Sequence, residues 1–327
     1  MATLRAHALW IPCVLSIAAC DPPCIVGNLC GDDEAAPGPD EDTPDFECAD
    51  GGVAACVGGV IPCDLVIHSE AGMAVLDGCP VVDGSLTFSG EGVGTPAQLP
   101  PVSEIKGALR VVGTALTDLD GAEGVGSLAA LEIESNPHLE DVAALAQTDC
   151  SSVSGGGCAS ISLVDDPALA DFSALGSVED LQYLYIRDVP SLSGLSGLAA
   201  LERVGAMRIQ DVGSLASLSP LAALREIGGG LMIDDCDALT DLDGLSGVTS
   251  IGADGSGYIG ITLNDSLTSV DGLLGVDAMS GGVTIERNAL LPTCDAEALC
   301  DHLAGDAGWA TPGECYIEDN LADECSE

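Results

Sequence analysis

Short apolar-x-apolar triplets recur along the chain: Leu65-Val66-Ile67, Leu86-Thr87-Phe88, Leu109-Arg110-Val111, Leu131-Glu132-Ile133, Ile161-Ser162-Leu163, Leu184-Tyr185-Ile186, Met207-Arg208-Ile209, Leu231-Met232-Ile233, Ile261-Thr262-Leu263 and Val283-Thr284-Ile285. Alternation with period two marks a strand with one buried face. Between third residues the steps are 21, 23, 22, 30, 23, 23, 24, 30 and 22. A period this regular predicts a stack of like units. A second apolar row follows each strand, at Leu116/Leu119, Leu139/Val142, Leu169/Phe172, Leu192/Leu195, Leu215/Leu218, Leu239/Leu242 and Leu267/Val270, and a third at Leu201/Val204, Leu224/Ile227 and Val248/Ile251. Three inward rows per unit predict a mainly β protein, a parallel β-solenoid of about ten turns with one continuous core. The two long steps contain Cys150 to Cys158 and the glycine-rich Gly252 to Gly257, expected as surface insertions.

Between the first two rows lie Asx- and Pro-rich turns: Glu134-Ser135-Asn136-Pro137, Asp165-Asp166-Pro167, Asp188-Val189-Pro190 and Asp234-Asp235-Cys236-Asp237. Side chains of Asp and Asn can bond their own backbone, so turn formation accounts for them. A row of calcium sites is a weaker reading, because no loop has the spaced oxygen ligands and closing glutamate of a known calcium loop.

Strand side chains alternate, so the middle residue of each triplet and the residue after it face outward. Stacking at about 4.8 Å then makes two ladders, Arg110, Glu132, Ser162, Tyr185, Arg208, Met232 and Val112, Glu134, Val164, Arg187, Gln210, Asp234. Arginine and aromatic side chains on a rigid sheet are common anchors of a binding surface. Arg110, Tyr185, Arg187, Arg208 and Met232 are therefore the candidate binding face. The plain alternative is that Arg110 neutralises Glu132 and Arg208 lies against Tyr185 as ordinary cross-strand pairs.

The chain has 327 residues, 53 acidic against 8 basic, a formal charge of -45, and 47% hydrophobic residues. Such a surface repels phosphate backbones, so nucleic acid is not an expected partner. Nothing matches a nucleophile elbow, a zinc-protease helix or a phosphate loop. Acid pairs are too abundant to argue for glycosidase chemistry. No enzyme activity, cofactor or metal is expected.

Arg5 precedes an apolar run from Ala8 to Ala19, too short to span a bilayer, which reads as a secretory signal over residues 1–19. Its end, Ile17-Ala18-Ala19-Cys20, resembles the bacterial lipobox, whose cysteine becomes the lipidated first residue; this implies an exported, lipid-anchored protein of the cell envelope, at the outer membrane or cell surface of a bacterium. Residues 20–62 follow as a cysteine-containing tether. Between Gly31 and Glu47 it holds eight acids, three prolines and no base, too little apolar surface to offset chain entropy. Cys24 and Cys30 would close a small loop at its start.

The segments Ile61-Pro62-Cys63-Asp64-Leu65-Val66-Ile67, Leu76-Asp77-Gly78-Cys79 and Gly84-Ser85-Leu86-Thr87-Phe88 resemble the opening of a receptor L domain, and the later Leu-Thr-Asp-Leu-Asp-Gly-Leu phrases are shared with that family and with leucine-rich repeats. The resemblance implies a right-handed solenoid over 63–293 and a disulfide-closed cap over 294–327. It also implies a Cys63–Cys79 bridge closing the first turn. No furin-like module, membrane-spanning helix or kinase accompanies it, so a growth-factor role is not implied.

Fifteen cysteines point to an oxidising compartment. Without Cys13, lost with the signal, and Cys20, thirteen remain (15 - 2), an odd number. Cys48 with Cys56 is the expected neighbour pair, and Cys150 with Cys158 would pin the insertion. Cys294, Cys300, Cys315 and Cys325 bracket a short helix, Asp295 to Leu303, and a last strand near Tyr316-Ile317. Their expected pairing is Cys294–Cys325 and Cys300–Cys315, with sequential pairing as the alternative. Cys236, in a turn where other units have Pro or Gly, is left as the free thiol. A zinc site is disfavoured, because no paired C-x-x-C occurs.

These observations lead to two functional expectations: a non-catalytic envelope lipoprotein whose solenoid face binds or adheres to a protein or glycan, or a passive acidic component of the envelope or surface coat.

Overall fold

A computed structural model describes residues 45–51, 55–94, 102–150, 157–253, 255–305 and 315–322. The expectations for the signal, for Cys20, Cys24 and Cys30, and for Cys325 fall outside these residues.

Twelve strands form one ladder in chain order: β1 (Phe46–Cys48), β2 (Leu65–Ile67), β3 (Leu86–Ser89), β4 (Ala108–Val112), β5 (Ala130–Glu134), β6 (Cys158–Val164), β7 (Asp180–Arg187), β8 (Arg203–Gln210), β9 (Gly230–Asp234), β10 (Tyr258–Thr262), β11 (Gly282–Glu286) and β12 (Cys315–Glu318). β1 pairs antiparallel with β2, and every later pair is parallel. A second ladder of two-residue strands runs in the same order through Val60–Ile61, Val81–Val82, Glu104–Ile105, Ser127–Leu128 and Asp149–Cys150. Glu226–Ile227, Ser250–Ile251 and Ala278–Met279 extend a similar ladder from Arg203 and Val204 of β8. The returning segments include seven short 3-10 turns, and one α-helix, α1 (Thr293–Gly305), precedes β12. All three apolar rows, apart from Leu263, are buried in one core.

The folded body begins earlier than the tether boundary at residue 62, since β1 and Val60–Ile61 are both sheet-paired. The cap also continues the main sheet, through β12 on β11. One triplet is misplaced by two residues. Ile233 pairs with Ile261, so the inward pair of β10 is Ile259 and Ile261, while Leu263 is 40% exposed. The corrected last steps are 28 and 24 rather than 30 and 22.

Leu263 instead occupies a left-handed corner just past the strand, where the other units place Ser135, Asp165, Asp188, Asp211, Asp235, Arg287 and Asp319, all with φ between 52° and 59°. Asp and Asn tolerate this region because their short polar side chains bond locally, whereas a leucine there is strained. Leu263→Asn is expected to stabilise the fold by about 1 kcal/mol, read as a higher unfolding midpoint; a lower one would mean that the contacts of Leu263 outweigh its strain.

The residue three places after each inward strand residue is the principal departure from the turn reading. Asn136, Asp166, Cys236, Asn264 and Asn288 are fully buried there, and Val189 and Val212 fill the same place in the intervening units. The asparagine side chains join successive units. Asn264 Oδ1 accepts from Cys236 N at 3.0 Å, and Asn264 Nδ2 donates to Ile233 O at 3.1 Å and Thr262 O at 2.9 Å. Asn288 repeats this one unit later, accepting from Asn264 N at 3.0 Å and donating to Ile261 O at 3.0 Å and Glu286 O at 3.1 Å. Asn320 continues it, accepting from Asn288 N at 3.1 Å and donating to Ile285 O at 2.9 Å. Cys236 belongs to this ladder, not to a Pro or Gly position: its thiol faces Asp234 O at 3.5 Å and Ile209 O at 3.9 Å. Burial pushes the thiol up to about 12, so it remains protonated.

The Leu-Thr-Asp-Leu-Asp-Gly-Leu phrase has a geometric basis. Asp241 Oδ1 accepts from Asp243 N at 3.1 Å, setting the turn that places Leu242 and Leu245 inside. At the following glycine the turns crowd: a Cβ on Gly244 would collide with the carbonyl of Leu218 in the preceding unit, and one on Gly272 with that of Leu242.

The disulfides differ at one end from expectation. Cys48 bonds Cys63 and Cys56 bonds Cys79, in place of Cys48–Cys56 and Cys63–Cys79. β1 runs antiparallel along β2, which carries Cys48 back to Cys63 and leaves Cys56 beside the next unit. Cys150 bonds Cys158 across the insertion, and Cys300 of α1 bonds Cys315 of β12. Cys294 is disulfide-bonded, and Cys236 is free and buried.

Candidate functional site

The outward face of the main sheet is built by the alternation that buries Leu184 and Ile186 on its inner side. Tyr185 pairs with Ser162 on β6 and with Arg208 on β8, and Arg208 pairs with Met232 on β9. Arg187 lies two residues after Tyr185 on the same strand. The guanidinium carbons of Arg187 and Arg208 stand 5.6 Å and 5.9 Å from the Tyr185 ring centroid, within cation–π range. Tyr183 stacks on Tyr185 from the other side along the strand, centroid to centroid 5.9 Å. The result is a row of Tyr183, Tyr185 and Arg187 with Arg208 at its flank and Met232 beyond.

Arg110 does not join this cluster. It is three strands away on β4, and its guanidinium holds Glu132 at 2.6 Å with both side chains largely covered. That ion pair uses up its charge, as in the plain cross-strand reading. Arg187 is partly compensated, by Asp188 at 3.1 Å. Partial desolvation and the charge of Glu132 raise the pKa of nearby Glu134, and Arg187 opposes them. Arg208 is exposed and, among the described residues, forms no ion pair. Its donors therefore remain available in a molecule dominated by carboxylates.

All four tyrosines of the chain lie on this face, of which the candidate list held only Tyr185. Tyr183 precedes the triplet, but β7 is eight residues long, so the same alternation carries it outward. Tyr258 was hidden by the misplaced triplet. Its ring lies across Gly260, where an added Cβ would be 2.7 Å from a ring carbon and 2.9 Å from the hydroxyl. Tyr316, on the outward ladder of β12, is 50% exposed. Met232 pairs with Gly260, so the floor between Arg208 and Tyr258 is low and partly apolar.

This surface offers aromatic faces and guanidinium donors. The histidines among the described residues lie elsewhere: His68 is 3.5 Å from Glu47 in the first unit, His138 is in the turn after β5, and His302 on α1 contacts Val276 O at 3.1 Å. Among the described residues no group of three or more His, Cys, Asp or Glu side chains is arranged to hold a metal ion, and no helix is long and apolar enough to cross a membrane. No protein-family model matches the chain, and neither a curated protein nor a solved structure matches it.

Proposed function

We propose that this chain is a non-catalytic, exported lipoprotein of a bacterial envelope, anchored through Cys20, that holds a protein or glycan partner against its outer sheet face. The fold reading that goes with it is a right-handed, receptor L-domain-like solenoid of about ten turns. The observation that carries the binding reading is the cluster of Tyr183, Tyr185, Arg187 and Arg208 on paired strands, with the Arg208 guanidinium left, among the described residues, without a carboxylate. Rigid strands hold such side chains at low entropic cost, and stacked Tyr and Arg are typical anchors of recognition. A glycan would stack its ring faces on tyrosine and take hydrogen bonds from arginine; a protein would use the same groups with Met232 as an apolar contact.

The test is capture from envelope and culture extracts by a soluble form beginning at Asp21, beside Tyr185→Ala/Arg208→Ala. The double variant is expected to lose a partner that the parent retains, while its melting temperature stays nearly unchanged, because exposed cross-strand pairs contribute under about 1 kcal/mol each. Equal retention of a saturable partner by both proteins would remove the site. The charge of -45 favours the second reading, a passive acidic coat that maintains hydration and repulsion; specific capture by neither protein is the result it expects.

A further inference from the structure

Asp166 stands in the buried ladder at a place that asparagine holds at 136, 264, 288 and 320. Its Oδ1 acts as an asparagine oxygen would, accepting from Asn136 N at 2.8 Å and Asn136 Nδ2 at 3.0 Å. Its Oδ2 is buried and, among the described residues, has no hydrogen-bond partner. In the neighbouring units the corresponding atom is a donor directed at two backbone carbonyls. Asn136 Nδ2 bonds Val111 O at 2.9 Å and Glu134 O at 3.0 Å, and Asn264, Asn288 and the thiol of Cys236 face equivalent pairs. By register the carbonyls for Asp166 are those of Ile133 and Val164. An ionised carboxylate would turn a bare negative oxygen toward two carbonyl oxygens; a protonated acid would donate as the amides do.

We propose that Asp166 is folded into the coil as a neutral carboxylic acid that takes an asparagine's part, and that its ionisation at rising pH loosens the joint between β5 and β6.

Burial raises its pKa to about 7 against the opposing hydrogen bonds from Asn136 and from the Val164 backbone, and Asp165 in the same turn adds to the rise. The other charged groups at the ends of the packed strands are Glu134 on β5 and Arg187 with Asp188 on the β7 unit. The sign follows from proton binding. Between the ordinary aspartate value of 3.8 and about 7 the folded chain keeps this proton and the unfolded chain releases it, so stability is highest on the acid side and declines as pH rises through that window. Over that window the folding constant falls by up to about tenfold per pH unit through this one group.

The test is denaturant unfolding of the full chain from pH 4 to pH 8.5 for the parent, Asp166→Asn and Asp165→Asn. Asp166→Asn is expected to lose up to one proton's worth of pH dependence and to exceed the parent in stability at pH 8. Asp165→Asn, which removes the same formal charge from the surface, is expected to keep the parent's slope. In infrared spectra near pH 6 the parent is expected to show a protonated-carboxyl C=O band that Asp166→Asn lacks. Parallel pH profiles for the parent and Asp166→Asn, or an Asp166→Asn protein less stable than the parent at pH 8, would overturn the proposal.

Discussion

Asn264→Ala is expected to destabilise the fold by about 3 to 5 kcal/mol, far more than the loss of an exposed polar side chain. The cost arises from the partners left behind. Asn264 Oδ1 is the acceptor for Cys236 N, and its amide serves Ile233 O, Thr262 O and Asn288 Oδ1, all in the core. Alanine removes these bonds at once, and each buried group left unmet costs on the order of 1 to 3 kcal/mol. Urea unfolding of Asn264→Ala beside Asn264→Asp checks this. The alanine variant should unfold at much lower urea at every pH. The aspartate variant should be weakened most at high pH, because it places after β10 the chemistry that Asp166 has after β6. A loss under about 1 kcal/mol for the alanine variant would mean that water replaces the amide and that the ladder is not a principal source of cohesion.

The second large effect is expected at Gly244. Its Cβ position is filled by the backbone of Leu218 and Ser219 in the preceding turn, so no rotamer of a larger residue resolves the collision. Gly244→Val must push two units apart and break packing around the buried Leu242 and Leu245, at a cost of about 3 kcal/mol or more. Circular dichroism melting with a soluble-yield measurement reads it. Gly213→Ala is the control, since a Cβ there meets nothing within 4 Å. Similar melting of Gly244→Val and the parent would show that the stacked turns can separate freely at this corner.

The architecture was legible because burial writes a period into the sequence. Nine of the ten triplets fall on the inward register of the main sheet, and the apolar rows that follow them are in the core. The tenth failed because Ile259-Gly260-Ile261 and Ile261-Thr262-Leu263 are equally apolar-x-apolar. Asn264 decides between them, since a ladder residue must stand three places after the inward strand residue. That rule was hidden while Asn136, Asp166 and Cys236 were read as turn formers. The disulfide exchange at the first units could not be read from spacing, because the antiparallel entry of β1 is what brings Cys48 to Cys63. At the candidate site alternation placed Tyr185, Arg187 and Arg208 on one face. Strand length and register, not alternation, were needed to find Tyr183 and Tyr258.

The valines at 189 and 212 divide the amide ladder into a stretch around Asn136 and Asp166 and another from Cys236 to Asn320. Stacked coils ordinarily fray from their ends, where a unit has one neighbour instead of two. Here both ends are clamped, β1 by Cys48–Cys63 and β12 to α1 by Cys300–Cys315. Between these two buckles the valine stretch is held by other means, the backbone pairing of Asp180–Arg187 on β7 with Arg203–Gln210 on β8 and the Arg203 guanidinium on the Asp180 carboxylate. β7 and β8 carry Tyr185 and Arg208, so the proposed recognition face rests on eight-residue strands, the longest among the described residues, and should keep its shape as a partner docks.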